Sequence, residues 1–374
     1  MTTPPLICSI PEYQTMISAL QSQPAIGVDT ESNSLFAYRE QVCLLQLSNS
    51  NQDFLVDPLP LDGMAELGAV FANPAVQKIF HAGDYDIACL KRDYCYEFLN
   101  LFDTMLAAAT LGEANLGLAA MLEKYLGVVL DKKYQRADWG KRPIKPEMLA
   151  YAQNDSHYLI PLRDQLQEAL IKSGKLDLLL EDSRNLARTP SSNPNPEASV
   201  WHIRGAQELK PNQISLLQAL MSMRENLAEN LDRPVFKVLG DAGLVDIASV
   251  QPHHIEELDL LPTLSVGQVK AFGKDIMFAI AEWRRNPVEV KKRQNHRPGD
   301  AELHRRDLLS TWRKEEGKKM GVSSNIVLSR DLIEGIAKTF PKNTAELKTL
   351  MVDYPCRFEL FSADILKTLQ KETL

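Results

Sequence analysis

The sequence predicts an α/β domain with a mixed sheet flanked by helices, followed by small all-α domains. Strand-like and helical segments alternate over residues 1–110, whereas only helical periodicity broken by loops remains from Pro143 onward. The chain of 374 residues is also too long for one ordinary hydrophobic core. We therefore expect more than one domain.

Short apolar runs bounded by polar or turn residues predict the strands, and apolar residues repeated every three or four positions predict the helices. The strand candidates are AIGVD (25–29), VCLLQLS (42–48), DFLVD (53–57) and QKIFHA (77–82). The first helix candidates are PEYQTMISALQ (11–21) and DTMLAAATL (103–111). Three prolines with Ser and Asn in TPSSNPNPEAS (189–199) predict a linker, so the first domain is expected to span residues 1–195.

The C-terminal half contains an internal repeat. Residues 220–258 align without a gap with residues 309–347, at a constant offset of 89. The matched positions are Leu220, Arg224, Val238, Leu239, Ile247, Ala248, Pro252, Glu257 and Leu258 with Leu309, Arg313, Val327, Leu328, Ile336, Ala337, Pro341, Glu346 and Leu347. Chance matching of leucines is common in helical sequence, but most matched positions are core-like. The overlay favours two copies of one helical domain, expected at 205–285 and 300–374.

Composition excludes a membrane protein and favours a globular one, since 44 % of the residues are apolar and 24 % are charged. No apolar run approaches the roughly 18 residues of a membrane span, and the N-terminus lacks a secretory signal. We expect a cytoplasmic protein. The five cysteines form no CxxC pair, which favours reduced packing residues over a disulfide framework or a zinc site.

The net charge of −7 hides a basic stretch in the C-terminal half. Residues 284–319 contain 12 basic and 6 acidic side chains, and the basic ones include Arg284, Arg285, Lys291, Lys292, Arg293 and Arg297. Such a stretch is more often a solvated linker than a binding site, so it is only a weak indication of a polyanionic partner.

Asp29 and Glu31 stand two positions apart where the first buried strand candidate ends. Residues i and i+2 of a strand point to the same side, so both carboxylates are expected to face one spot. Like charges near a core repel unless a cation lies between them or one is protonated. Two exposed acids at a strand end are the alternative.

PEMLAYAQNDSHYLIPL (146–162) predicts a helix that begins at Pro146 and buries Met148, Ala152, Leu159 and Leu162. Asp155 lies on that apolar stripe, and Tyr151 precedes it by one helical turn. A buried carboxylate needs a cation or a donor. The alternative is that the Tyr151 hydroxyl simply satisfies Asp155.

FHAGDYDIACL (80–90) predicts a strand end, a glycine loop and a helix start. Asp84 is predicted as the helix N-cap, Asp86 as a first-turn acid, and Asp103 as the N-cap of a later helix. Taken together, the acids form an oxygen-only ligand set, which suits Mg²⁺ or Mn²⁺ and phosphodiester hydrolysis.

Three motifs resemble those of ribonuclease D, within the DEDD superfamily of 3′-to-5′ exonucleases. They are VDTES (28–32), HAGDYDIACL (81–90) and YAQNDSHYL (151–159), and DKKYQRADWGKRP (131–143) resembles the Q-x-x-D-W-x-x-R-P segment of that family. Residues 205–285 resemble an HRDC domain, with a more divergent second copy after it. The resemblance covers nearly the whole chain and implies an RNase H-like exonuclease domain.

The resemblance implies roles for individual residues. Asp29, Glu31, Asp86 and Asp155 would hold two divalent ions, Mg²⁺ or Mn²⁺, and Tyr151 would orient the attacking water, as in the DEDDy subgroup. His81, Gln135 and Arg142 are candidate substrate contacts. Ser32, Asn33, Ser34 and Leu35 follow the first motif, where that family often has an aromatic residue.

The expected function is a metal-dependent exoribonuclease that trims RNA 3′ ends, with tRNA precursors as the implied substrate, nucleoside 5′-monophosphates as products and a monomeric state. One alternative is a DNA 3′-to-5′ exonuclease of the same superfamily, such as a Werner-type nuclease. A second is a catalytically silent scaffold that binds nucleic acid through its HRDC units.

Overall fold

The computed structural model describes residues 3–131, 133–192, 199–290 and 298–371. The chain divides into two compact units. The first unit comprises the described parts of residues 1–31, 42–192 and 296–374, and the second those of residues 32–41 and 193–295. Much of the predicted linker at 189–199 lies outside the described residues, as do Lys291, Lys292, Arg293 and Arg297.

A six-stranded mixed sheet forms the centre of the first unit. Its order is β1-β4-β3-β2-β5-β6, with β3 and β4 antiparallel and the pairs β1/β4, β2/β5 and β5/β6 parallel. The strands are β1 (Leu6–Ile7), β2 (Ala25–Ser32), β3 (Val42–Ser48), β4 (Asp53–Val56), β5 (Gln77–Phe80) and β6 (Leu101–Asp103). The predicted mixed sheet is confirmed.

All four predicted strands are present, and two further strands were missed. β1 and β6 contain two and three residues, which is too short for an alternating pattern to be visible. β2 continues three residues beyond its predicted end, to Ser32. Asp29 and Glu31 therefore lie within a strand and not in a loop after it.

Helices cover the sheet of the first unit. In chain order they are α1 (Ile10–Leu20), α2 (Ala65–Ala72), α3 (Asp84–Tyr94), α4 (Thr104–Leu111), α5 (Leu118–Leu126), α6 (Pro146–His157), α7 (Leu159–Lys172) and α8 (Leu176–Leu186). The helix predicted over 146–162 is in fact two helices, broken at Tyr158. Pro161 explains the break, because a proline ring clashes with the carbonyl group four residues earlier and donates no hydrogen bond.

The described residues after 199 contain no strand and form two helical repeats. The first repeat has α9 (Pro211–Asn230), α10 (Val235–Val238), α11 (Asp241–Val250), a 3₁₀ helix (Ile255–Leu260) and α12 (Val266–Arg285), preceded by 3₁₀ turns at Val200–His202 and Ala206–Glu208. The second repeat has α13 (Asp300–Met320), α14 (Ser324–Val327), α15 (Arg330–Thr339), α16 (Thr344–Leu350) and α17 (Pro355–Gln370).

The two repeats share contacts at the offset of 89 found in the sequence. Nη1 of Arg224 donates to the carbonyl oxygen of Leu239 at 3.1 Å, and Nη1 of Arg313 donates to that of Leu328 at 2.8 Å. Six matched apolar pairs are fully buried in both copies: Leu220 and Leu309, Val238 and Val327, Leu239 and Leu328, Ile247 and Ile336, Ala248 and Ala337, Leu258 and Leu347. The duplication is therefore structural.

In the described residues, no helix is long and apolar enough to cross a bilayer. None of the five cysteines is disulfide-bonded in the structure. Only Cys43 and Cys89 are buried, so the expectation that the cysteines are packing residues is wrong for the exposed Cys8 and Cys95.

Gly27 lets α6 pack directly on β2. A Cβ atom at Gly27 would lie 2.5 Å from the carbonyl oxygen of Ser156 and 3.2 Å from Cβ of Leu159. The hydroxyl groups of Ser48, on β3, and Ser156 are hydrogen-bonded at 2.7 Å beside this contact. Only a residue without a side chain allows the end of α6 to approach the strand this closely.

We expect Gly27→Ala to destabilise the protein by about 1–3 kcal/mol, because the added methyl group meets backbone that has no room to move. Thermal unfolding measures this change. Gly335→Ala is the control, since Gly335 lies within α15 with nothing near its missing Cβ atom, and alanine there should be neutral or stabilising. Equal melting temperatures for Gly27→Ala and the parent would contradict the close approach.

Candidate active site

β2 carries the first two acids of the site. One carboxylate oxygen each from Asp29, Glu31 and Asp155 lie within 4.8 Å of one another. Residues 25–28 of the strand are buried, whereas residues 29–32 are partly exposed, so the acids lie where the strand leaves the core. The prediction that Asp29 and Glu31 face one spot is confirmed.

Asp86 joins this cluster from the first turn of α3. It is 8 % exposed, and its Oδ1 accepts a hydrogen bond from the hydroxyl group of Thr30, which lies between the two acids of β2. Asp84 is exposed and is the first helical residue, so its prediction as N-cap is wrong. Gly83 is the N-cap, and a Cβ atom there would lie 2.6 Å from the Phe80 side chain, which favours glycine at this position.

Asp103 links the starts of two helices. Its Oδ1 accepts from the backbone N–H groups of Met105 and Leu106, each at 2.9 Å, which confirms the predicted N-cap of α4. Its Oδ2 accepts from the N–H group of Gly83 at 2.8 Å. Burial raises the pKa of Asp103, and these backbone donors oppose the rise. Asp103 therefore fixes the loop from which α3 begins, and with it Asp86.

α6 supplies Asp155 and Tyr151. The helix is held on the sheet by Asp53 of β4, whose Oδ2 accepts from Nε2 of Gln153 at 2.6 Å and lies 2.9 Å from Nδ1 of His157. Tyr151 and Asp155 line the same cavity, so the prediction that they point to one place is confirmed.

Burial and mutual repulsion raise the pKa of the clustered carboxyl groups. Burial is the largest cause for all four. The pKa rises to about 9 for Glu31, about 7 for Asp155 and about 6 for Asp86, where the Thr30 hydrogen bond opposes the rise. The pKa of Asp29 lies well above its usual range, first through burial and then through the charges of the other three acids. Without a cation, the cluster therefore retains protons at neutral pH.

The donor set fits a hard divalent cation. All the clustered donors are carboxylate oxygens, and no histidine or cysteine belongs to the group of Asp29, Glu31 and Asp155. The distances between the oxygens are short enough for one ion to contact several of them. A bound cation would also relieve the repulsion that raises these pKa values.

Tyr151 lies beside the acids in an aromatic setting. Its ring meets that of Tyr134 edge-on at 5.8 Å and lies 6.4 Å from that of Trp139. Burial, followed by the charges of Asp155 and Glu31, raises the pKa of its hydroxyl group. Tyr151 therefore remains protonated near neutral pH and acts as a hydrogen-bonding group.

A cavity of about 300 Å³ opens next to the acidic cluster. Its lining residues are Leu130, Asp131, Lys133, Tyr134, Glu147, Ala150, Tyr151, Asn154 and Asp155. Trp139 is 1 % exposed and packs in a core with residues of β3 and α6, which anchors the loop that forms one wall. Nζ of Lys133 lies 5.2 Å from the centre of the Tyr134 ring at this wall.

Arg142 has a structural role in the same loop. Its Nε and Nη2 donate to the Asp57 carboxylate at 2.6 and 2.8 Å. Its remaining bonds reach the backbone oxygens of Cys43, Trp139 and Lys141. These acceptors would compete with a substrate for the N–H donors of Arg142. The substrate contact of Arg142 stays a prediction.

The other two predicted substrate contacts differ in their surroundings. Nδ1 of His81 lies 2.9 Å from the Thr104 hydroxyl oxygen, and burial lowers the pKa of His81 to about 4. A neutral imidazole at physiological pH offers no charge to a phosphate. Gln135 lies exposed in a turn of the loop that carries Tyr134. Both substrate contacts stay predictions.

The positioning roles of Gly27 and Thr30 were missed in the sequence. Asp103 was predicted as an N-cap, but the hydrogen bond that Asp103 accepts from Gly83 was missed. Gly27 carried a visible signal, because a glycine inside an apolar strand often marks a close approach of backbone. Thr30 and the second contact of Asp103 carried none, since each depends on a partner more than 15 residues away.

Comparison with known proteins gives matches along most of the chain. Residues 9–171 match the 3′-5′ exonuclease family model, and residues 213–280 and 302–368 each match the HRDC domain. Ribonuclease D of Escherichia coli is 30 % identical over 277 residues, which cover 74 % of each chain. The Saccharomyces cerevisiae exosome complex exonuclease RRP6 is 35 % identical over 257 residues, covering 64 % of this chain and 35 % of that protein.

A crystal structure of Escherichia coli RNase D, described as an exoribonuclease involved in structured RNA processing, superposes with a TM-score of 0.74. It is 26 % identical in sequence, and the match covers 99 % of each chain. The chain spans about a third of the length of the exosome-component and RRP6-like relatives that it matches. The predicted exonuclease fold followed by two HRDC-like domains is confirmed, and the chain belongs to the ribonuclease D family.

Proposed function

We propose that this protein is a divalent-metal-dependent exoribonuclease that removes nucleotides from RNA 3′ ends and releases nucleoside 5′-monophosphates. The observation that carries the proposal is the convergence of Asp29, Glu31, Asp86 and Asp155 beside Tyr151, in a chain of the ribonuclease D family. Precursors of tRNA are the proposed substrate class. The HRDC-like repeats and the basic stretch from Arg284 are proposed as the wider grip on RNA.

We assign the four acids to two ions, Mg²⁺ or Mn²⁺. When bound, such ions lower the pKa of an attacking water and offset the charge that develops on the leaving 3′ oxygen. Thr30 holds the Asp86 carboxylate by a charge-assisted hydrogen bond, which fixes its orientation. Gly27 and Asp103 set the positions of α6 and α3, so they act through the acids and not on substrate.

Tyr151 is assigned the role of orienting the attacking water. Its hydroxyl group remains protonated, which suits donation of a hydrogen bond and not proton abstraction. The adjacent cavity offers an aromatic wall and the Lys133 cation, which suit a base and a phosphate without reading sequence. Such recognition fits an enzyme that steps through any sequence.

We also propose domain limits of 1–195, 205–285 and 300–374, and the ranges that match the family models lie inside them. The monomeric state and the cytoplasmic location stay predictions.

We expect Asp155→Asn to reduce RNA trimming at least about 100-fold, because loss of a carboxylate ligand weakens cation binding more than loss of an outer partner does. The measurement is the shortening of a tRNA with a 3′ extension in Mg²⁺, repeated with EDTA and with a DNA strand of the same sequence. Asp164→Asn, an exposed acid on α7, is the matched control. Unchanged trimming by Asp155→Asn would refute the assigned site, and faster loss of DNA would favour the DNA exonuclease alternative.

We expect Tyr151→Phe to lower kcat by about 100-fold while leaving Mn²⁺ affinity unchanged, because the ring packing is kept and only the hydroxyl group is lost. Single-turnover kinetics and calorimetric titration with Mn²⁺ separate the two effects. Tyr158→Phe, at the break between α6 and α7, is the control. The orienting role is ruled out if Tyr151→Phe and the parent turn over equally fast.

The acidic cluster should make the metal-free protein less stable at alkaline pH. The pKa values of Glu31, Asp155 and Asp86 are raised in the folded state, so their favourable contribution is complete below the ordinary carboxyl pKa. It is lost as the pH rises through about 6 to about 9.

Melting temperatures measured in EDTA from pH 5 to pH 9, and again with Mn²⁺, test this prediction. Each kcal/mol of lost folding free energy should lower the melting temperature by about 2–4 °C. Mn²⁺ should stabilise the parent more at high pH, and Asp155→Asn should flatten the pH dependence in EDTA. A pH-independent melting temperature for the metal-free parent would contradict the coupling among the acids.

A further inference from the structure

The two repeats present the same face to residues from the N-terminal half of the chain. This face consists of the C-terminal half of the first long helix and the turn after it, at residues 225–237 in the first repeat and 314–326 in the second. Both turns contain a left-handed residue at the same repeat position, Asp232 with φ 45° and Gly321 with φ 65°. We call this surface the docking face.

The docking face of the first repeat holds residues 36–39, which follow β2 and belong to the same compact unit as this repeat. Oδ1 of Asp232 accepts from the N–H group of Tyr38, and the Tyr38 hydroxyl group bonds to Glu225, both at 3.1 Å. Arg39 pairs with Glu229 at 2.6 Å, with side chains 76 % and 50 % exposed. Nζ of Lys237 lies 4.2 Å from the centre of the Phe36 ring.

The docking face of the second repeat contacts α4 and the start of α8, within the first compact unit. Nζ of Lys175 donates to the carbonyl oxygen of Met320 at 2.9 Å. Gly112 lies so close to Gly321 that a Cβ atom on Gly112 would be 2.0 Å from the Gly321 carbonyl oxygen. The surface is therefore in direct backbone contact.

One repeat position distinguishes the second contact from the first. Gln268 of the first repeat donates to the carbonyl oxygen of Val238 at 3.1 Å, inside its own repeat. The matching Arg357 donates to the carbonyl oxygen of Ile326 at 2.8 Å and also pairs with Glu181 of α8 at 2.6 Å. The side chains of Arg357 and Glu181 are 3 % and 0 % exposed. Replacement of glutamine by arginine therefore adds a buried link to the exonuclease domain.

The charge at one position of the docking face is reversed between the two copies. Glu229 of the first repeat faces Arg39, whereas the matching residue of the second repeat is Lys318. Lys318 lines a cavity of about 480 Å³ together with Glu113 of the exonuclease domain. The Glu113 carboxylate is already paired with Lys124 at 2.6 Å, so the described residues show no counterpart of the Arg39–Glu229 pair at Lys318.

We propose that this face of the HRDC repeat is an intramolecular docking surface for exonuclease-domain segments in both copies, diverged so that the two attachments differ in strength. The second repeat is attached by buried, hydrogen-bonded charges and stays docked. The first repeat holds residues 36–39 by the hydrogen bonds of Tyr38, by packing of Tyr38 against the core of the repeat, and by the exposed Arg39–Glu229 pair. Salt weakens that exposed pair. Because the face is occupied in both copies, RNA contacts of either repeat use other surfaces. The proposal does not depend on the exonuclease activity.

Amide hydrogen exchange of the full chain tests the attachment of residues 36–39. We expect Tyr38→Ala to speed exchange in residues 36–41 about 10-fold while α9 keeps its protection, and Tyr38→Phe, which loses only the hydroxyl bond, to have a smaller effect. Raising KCl from 50 to 500 mM should speed exchange there but not in α17. Parent-like exchange of residues 36–41 in Tyr38→Ala would overturn the proposal for this copy.

Exchanging the charges of Arg39 and Glu229 tests whether their ion pair, and not packing alone, holds residues 36–39 on the first repeat. Arg39→Glu should speed exchange of residues 36–41, and the double variant Arg39→Glu with Glu229→Arg should restore the protection of the parent. A double variant that exchanges as fast as Arg39→Glu alone would show that charge complementarity does not hold this segment.

Arg357→Gln tests the second copy, because it introduces the residue that the first repeat has at this position. We expect faster exchange at α8 and the start of α17, with unchanged protection in α15 as the measure of an intact repeat. Arg330→Gln, which breaks an exposed pair on the same repeat, is the matched control. If Arg357→Gln does not fold, Lys175→Met gives the same pattern at smaller amplitude. Parent-like protection of α8 in the folded variant would overturn the proposal.

Discussion

The structure depends on holding four carboxylates together although they repel one another. Burial removes the water that would screen them, and the pKa values of Glu31 and Asp155 rise to about 9 and about 7 as a result. The surrounding fold has to supply the opposing stability. It does so by close backbone packing at Gly27 and by the hydrogen bonds of Asp103 and Thr30. A strained acidic site of this kind is what a divalent cation stabilises.

The helical half shows how duplication followed by small changes yields two different attachments. Both repeats keep the same buried core positions. In both, the arginine of the first long helix, Arg224 or Arg313, donates to the carbonyl oxygen of the matching leucine. They differ at Gln268 and Arg357 and at Glu229 and Lys318, which lie on the docking face or beside it. The cores thus retain the common fold, while a few substitutions outside the shared core positions distinguish the contacts of the two copies.

Sequence patterns located the acids and Tyr151 because strand and helix periods put them on common faces. The same reasoning found the repeat, since core positions recur at one offset. It missed β1 and β6, which are too short to show a pattern. It also missed the helix break caused by Pro161 and the N-cap at Gly83, where local steric effects override the simple pattern. The substrate contact of Arg142 stays a prediction, and only the tertiary structure shows that its donors reach Asp57 and the carbonyl oxygen of Cys43.

The sequence by itself determined that Asp29 lies on the same side as Glu31, and Tyr151 on the same side as Asp155, because each pair is spaced by one period of its own strand or helix. Only the tertiary structure decided that β2, α3 and α6 bring their acids into one cluster, since the chain separations between the elements carry no periodic signal. The same holds for Arg357 and Glu181, which lie far apart in the chain and meet in a buried pair. Contacts between elements depend on how side chains pack over the whole domain. A local sequence pattern carries no information about that packing.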